Sequence, residues 1–149
     1  MSKYDLDRIR RLATQFRRAC EEYALITDDY FFRKFPEYCC GSVSIMLECY
    51  LIENNIHGLK HVIGEKPNSQ ETHAWTKLED NLIIDITLDQ FSKSFPSVYI
   101  GEPLPIHNEF RNRRERKSDS EIGNYIVEGF YSSILYIIKK SYMNNELLK

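Results

Sequence analysis

Between Leu6 and Tyr23 apolar side chains return every three or four residues, at Leu6, Ile9, Leu12 or Ala13, Phe16, Ala19 or Cys20, and Tyr23. That spacing predicts an amphipathic helix with Arg8, Arg10, Arg11, Arg17 and Arg18 on its outer face. Asp28 to Pro36 follows as an aromatic-rich connector, and Pro36 bars a regular helix from running through it. A second helix is predicted from Cys40 to about Asn54. Val43, Leu47 and Tyr50 or Leu51 trace its stripe, and Asn54, Asn55 and Gly58 supply the stop.

The middle of the chain changes period. Leu59 to Gly64 reads as a short strand, and 65–71 as a polar loop containing Pro67. Thr72 to Leu78 and Leu82 to Thr87 read as two strands joined through Glu79, Asp80 and Asn81, a hairpin by composition. A further short strand is expected at Val98 to Ile100. Segment 101–118 reads as a loop holding Pro103, Pro105 and the basic run Arg111, Arg113, Arg114, Arg116 and Lys117. Ser118 to Ser120 are expected to cap a final helix reaching about Lys140, which would bury Ile122, Ile126, Phe130 or Val127, Ile134, and Ile137 or Ile138. With no internal repeat and no linker, 1–149 reads as a single α+β domain, with helices at both ends and one early around a small antiparallel sheet.

Composition narrows the function classes. At 149 residues and 42% hydrophobic, the chain has material for one core and too little for two domains, and it is not a disordered tail. A formal charge of −2 gives no general attraction to nucleic acid or anionic membrane. No apolar run approaches the ~18 residues of a membrane span. The opening MSKYDLDRIRRL lacks the apolar core of a secretion signal, so a cytoplasmic location without membrane contact is expected. The oligomeric state is not legible from these features.

The four cysteines, at 20, 39, 40 and 49, show no paired C-x-x-C spacing and no neighbouring histidine at zinc-ligand distance. Neither a disulfide framework nor a metal or other cofactor is therefore expected. Taken singly, each cysteine is more often a small buried hydrophobe than a nucleophile. Context favours one of them. Cys40 stands at the predicted head of a helix, where unpaired N–H groups and the helix dipole favour a thiolate. His73 and Asp85 follow on two successive strands. A nucleophile, a base and a group that orients the base are what an acyl-transfer site needs.

The hairpin makes the pairing testable, because alternate residues of a strand share a face. A five-residue loop would set His73 opposite Asp85, and a three-residue loop would set them diagonally on one face. A strict two-residue turn would separate them. Trp75 shares the face of His73 and is positioned to cover its ring. If Ile84 and Ile86 face the core, Asp85 faces away with His73.

FPEYCCGSVSIMLECYL, VIGEK and THAWTKLEDNLIIDITLDQF, spanning roughly 35–91, resemble transglutaminase-like members of the papain-like cysteine superfamily. More narrowly they resemble small bacterial proteins with Cys-Gly at the head of a helix, a His-Ala-Trp strand and an Ile-Asp-Ile-Thr-x-Asp-Gln-Phe strand end. The resemblance implies a nucleophile helix packed on an antiparallel sheet, with Cys40 as nucleophile, His73 as base and Asp85 as orienter. It implies a cysteine hydrolase or acyltransferase acting on a protein or peptide, by amide hydrolysis, deamidation or transamidation. Papain-like peptidases carry an oxyanion glutamine just before the cysteine, where this chain has Phe35, Pro36, Glu37 and Tyr38. The oxyanion donors would then be the Cys40 backbone N–H and a second group, for which Gln90 is the candidate. Cys39 is the rival nucleophile. Cys40 is favoured because Cys-Gly matches the group and Gly41 leaves room for an acyl group.

The alternative is a module that kept the fold and lost the chemistry, binding a protein or nucleic acid through the basic 111–117 loop. Five cations in seven residues suit phosphates or an acidic partner, although such a run is commonly only a solvated loop. It holds no aromatic residue, which weakens the case for stacking on single strands.

Overall fold

The structure is a computed structural model that describes residues 4–79 and 81–147, apart from the side chains of 145–147. The first helix, α1 (Leu6–Ile26), starts where the Asp5 carboxylate accepts the Arg8 N–H at 3.0 Å. It buries Ile9, Leu12, Ala13, Phe16, Ala19 and Cys20, the expected stripe. Arg17 departs from the expected outer face and is buried. Its guanidinium donates to both Asp89 carboxylate oxygens (2.7 and 2.8 Å), to the Ile86 carbonyl (2.7 Å) and to Glu21 (2.7 Å), partners that compensate burial of the charge.

The second helix, α2 (Cys40–Glu53), is buried on more than one side. It packs on the sheet through one side and on α1 and the last helix through another. The sheet holds β1 (Lys60–Glu65), β2 (Thr72–Lys77), β3 (Ile83–Asp85), β4 (Tyr99–Gly101) and β5 (Arg111–Lys117), antiparallel throughout, in the order β4-β3-β2-β1-β5. Ala74, Leu78, Ile84 and Ile86 join the main core with α2. Trp75, Val62, Ile83 and Phe110 form a smaller apolar cluster with Phe91, Tyr99 and Ile106. The architecture is α+β, as the sequence indicates.

The hairpin between β2 and β3 fixes the register. Thr76 pairs with Ile84, Lys77 pairs with Ile83, and the Leu78 N–H donates to the Leu82 carbonyl at 2.7 Å. Only Glu79, Asp80 and Asn81 lie between that last pair, of which Asp80 falls outside the described residues. His73 and Asp85 therefore sit diagonally on one face, the three-residue alternative.

Two expectations fail in the second half of the chain. The basic segment 111–117 is not a loop but the edge strand β5, preceded by the short helix α3 (Pro105–Asn108). All seven residues of β5 are exposed, so no period-2 apolar signal exists to announce it, and cations are what edge strands commonly carry. The final helix, α4 (Tyr125–Leu147), begins later than Ser118–Ser120 predicts. Asn124 caps it, its side-chain oxygen accepting the N–H groups of Ile126 (2.9 Å) and Val127 (3.2 Å). Tyr131, Ile134 and Ile138 are its buried residues, whereas Ile126 is exposed. Among the described residues no helix is long and apolar enough to cross a membrane.

Candidate active site

Cys40 opens α2, half-buried, on the wall of a cleft of about 640 Å³ shared with Glu37, Tyr38, Glu71, Gln90 and Phe91. The first turns of α2 meet β2 beside His73. There the Ser44 hydroxyl lies 2.7 Å from the Cys40 carbonyl and 3.3 Å from that of Ala74. A Cβ added to Gly41 would meet no neighbouring atom within 4 Å, so space beside the thiol is open.

His73 and Asp85 are fully buried and joined, Nε2 to Oδ2, at 2.7 Å. The ring is held on several sides: the edge of Phe91 at 4.9 Å between centroids, Trp75 at 5.5 Å and Phe110 at 5.5 Å. Phe110 approaches so closely over Gly64 that a Cβ there would lie 2.9 Å from the Phe110 carbonyl oxygen and Cβ, which explains the glycine in β1. With Nε2 committed to Asp85, Nδ1 faces Gln90 Nε2 at 3.3 Å, and Cys40 is near enough to act on the imidazole electrostatically. Burial alone would lower the His73 pKa. The hydrogen bond and charge of Asp85, with a smaller part from Cys40, outweigh burial and raise it from 6.5 to about 9.

Asp85 is pushed up by burial, but the hydrogen bonds from His107 and His73, the His73 charge and the Thr87 N–H hold it down at about 2. Its four acceptor sites are filled. Oδ2 takes His73 Nε2 and His107 Nε2 (2.9 Å), and Oδ1 takes the Thr87 N–H (3.0 Å) and hydroxyl (3.4 Å). His107, also fully buried, is absent from the sequence reading. It lies in the four-residue helix α3, too short to show a periodicity, and its only signal is being one of four histidines.

The hydrogen-bond network assigns the His107 tautomer. Its Nδ1 accepts the Leu104 backbone N–H at 3.0 Å, so the ring proton is on Nε2 and points at Asp85. That polarity bears on metal binding. Ligand atoms of His73, Asp85 and His107 lie within 4.8 Å of one another, a spacing a cation could use. A metal would need an unprotonated His107 Nε2, and the nitrogen that would then hold the proton already faces a donor. The donor set fits two imidazoles on one carboxylate better than a cation.

Gln90 reaches the cleft and His73, and its amide nitrogen also donates to the Thr87 carbonyl at 3.0 Å. The Arg17–Asp89 pair pins the turn that carries it. Cys39 is buried outside the cleft, with its thiol directed at the Glu37 carbonyl at 3.3 Å, and burial pushes its pKa up to about 12. Burial likewise raises Cys49 to about 11 and Cys20 well above the usual thiol range. No family model, no curated protein and no solved structure matches the chain.

Proposed function

We propose that the chain is a cysteine-dependent acyl-transfer enzyme built on a papain-like, transglutaminase-like core, with Cys40 as nucleophile and His73 as base and acid. The observation that carries this reading is the buried Asp85–His73 pair, which leaves the second imidazole nitrogen for a thiol on the wall of an open cleft. With the Cys40 proton already held on His73 Nδ1, Sγ attacks an amide carbonyl. The imidazolium then protonates the leaving amine, and a thioester remains on Cys40. Water or an amine, deprotonated by His73, attacks the thioester and releases the thiol. Asp85 and His107 are positioning residues that fix the ring.

Gln90 fits the role of second oxyanion donor. In the neutral ring, Nδ1 accepts the Gln90 N–H. Once Nδ1 carries the thiol proton, that N–H has no acceptor there and is free for a developing oxyanion at the cleft wall. The substrate class consistent with such a cleft is a protein or peptide.

A second reading, an interaction module acting through β5, rests on that strand's exposed edge and its five cations. Labelling with a thiol-reactive probe near pH 6 separates the two. The enzyme reading expects modification at Cys40 with Cys20, Cys39 and Cys49 silent, and loss of that selectivity in His73→Ala. Equal, slow reaction of all four thiols would refute it. An acyl group trapped on Cys40 and located by mass spectrometry is the stronger positive result. Steep salt dependence of nucleic-acid binding, lost on neutralising Arg113 and Arg114, would support the module.

A further inference from the structure

A second pocket, of about 380 Å³, shares Tyr38 with the cleft and is lined by Phe31, Phe32, Tyr38, Ile126, Val127 and Phe130 among others. Tyr38 borders both spaces, and Cys39 and Ser42 from the start of α2 reach the pocket wall. Three of its large apolar side chains face solvent: Phe31 is 58% exposed, Tyr38 66% and Ile126 49%. Exposed apolar side chains gathered at one concave site mark a binding surface.

The polar groups in the wall are largely engaged elsewhere. The Asp29 carboxylate accepts the Phe31 and Phe32 N–H groups (3.1 and 2.8 Å), Asn124 caps α4, and the Cys39 thiol turns to the Glu37 carbonyl. Ser42 is the remaining polar lining residue. The pocket therefore offers an apolar guest contact area with few hydrogen bonds to satisfy. Most of its wall comes from 29–32 and 124–130, outside the 35–91 stretch that carries the family resemblance.

We propose that this pocket is the acyl-donor specificity subsite, which takes a bulky apolar or aromatic side chain next to the carbonyl attacked by Cys40. The inference rests on the acyl-transfer reading and adds the substrate class to it. Continuity commits the occupant: Tyr38 lines both the pocket and the thiol's cleft, Cys39 and Ser42 on either side of Cys40–Gly41 line the pocket, and the space at Gly41 is open. A substrate with its carbonyl at Cys40 has its neighbouring side chain within reach of the pocket.

The test uses the full chain and three chloromethyl ketones bearing phenylalanine, glycine or aspartate beside the ketone, with iodoacetamide as an unguided reagent. The readout is the rate of Cys40 labelling by each ketone divided by the iodoacetamide rate on the same protein. The phenylalanine probe is expected to exceed the glycine probe by about tenfold or more, and the aspartate probe to fall below both. Tyr38→Gly and Ile126→Asp are expected to bring that ratio within about threefold of unity. Both suit their backbone, since Tyr38 has φ +66 and Ile126 is an exposed residue in the first turn of α4. Equal ratios for all three ketones, or a phenylalanine preference untouched by both variants, would overturn the proposal. So would self-association abolished by Ile126→Asp with no probe preference, which would make the patch a contact between copies. Failure of the underlying chemistry has a different signature: iodoacetamide labelling that is unselective for Cys40 and indifferent to His73→Ala.

Discussion

Substituting Asp85 by asparagine tests the two-imidazole arrangement at its centre. A single imidazole can be oriented by aspartate or asparagine, but this carboxylate receives four donors, two on each oxygen. Asparagine has one acceptor oxygen and one NH₂. With its NH₂ toward the rings, it faces two ring N–H groups, and the Leu104 N–H at Nδ1 prevents His107 from changing tautomer. Turned around, it faces the Thr87 N–H. Either orientation leaves a buried donor unsatisfied, which costs about 1–3 kcal/mol. The ion pair is lost as well. The rise of His73 from 6.5 to about 9 corresponds to roughly 3 kcal/mol, and the combined loss near pH 6 is about 4–6 kcal/mol. With the main opposition to burial removed and only the smaller Cys40 contribution left, His73 in Asp85→Asn should titrate well below 9. Nitrogen-detected NMR titration of the histidines and urea unfolding at pH 6 measure both quantities. A His73 that still titrates near 9 in the variant, or a stability change under about 1 kcal/mol, would refute the reasoning.

The same pair sets the pH profile of stability. A raised His73 contribution is complete below about 6.5 and disappears as pH rises through about 9; a depressed Asp85 contribution is complete above about 4 and disappears as pH falls through about 2. Unfolding midpoints should therefore peak between about pH 4 and 6.5 and decline toward 9, and a flat profile across that range would contradict the assignment. Gly64→Ala should destabilise by about 1–3 kcal/mol in thermal melts, because its Cβ would lie 2.9 Å from the Phe110 backbone oxygen, and should shift the His73 ring resonances that Phe110 covers. Arg17→Met should cost about 2–4 kcal/mol by stranding Asp89 and the Ile86 carbonyl, with amide shifts concentrated at 86–91; a neutral result would mean the clamp is not formed in solution.

What the chain made legible follows from where apolar periodicity is strong. The stripes of α1 and α2 and the alternation in β2 and β3 come from side chains that must find a core, so elements and faces could be read from them. Loop parity made the shared face of His73 and Asp85 one of the alternatives, and the register of β2 on β3 selects it. The failures have one cause: polar residues whose role depends on partners distant in sequence. Arg17 lies in a basic helical pattern but meets Asp89 across 72 positions. Ser118 has the residue type of a helix cap, yet its hydroxyl donates to Glu48 at 2.9 Å. β5 is all polar because it is an edge, and His107 became part of the site only when α3 folded over β3. No local window contains these pairings.

Glu48 shows why such partners bear on the chemistry. It lies on α2 eight residues beyond Cys40, about 12 Å along the helix, and is almost wholly buried against the sheet. Its Oε2 accepts from His61 Nδ1 (3.0 Å) and the Thr76 hydroxyl (2.7 Å), and its Oε1 from Ser118. Apolar contacts alone tolerate small slides and rotations of a helix over a sheet, whereas three directional bonds to one carboxylate do not. A slide of 1 Å along α2 would strain all three bonds and displace Cys40 relative to β2 by the same distance. Beside it, His107 and Thr87 fix the carboxylate that fixes the imidazole. Sulfur and ring are thus each anchored by a buried carboxylate bonded to histidine, and among the described residues no buried side-chain nitrogen or oxygen lacks a partner. On the acyl-transfer reading proposed above, this anchoring keeps the thiol in register with the imidazole that shares its proton.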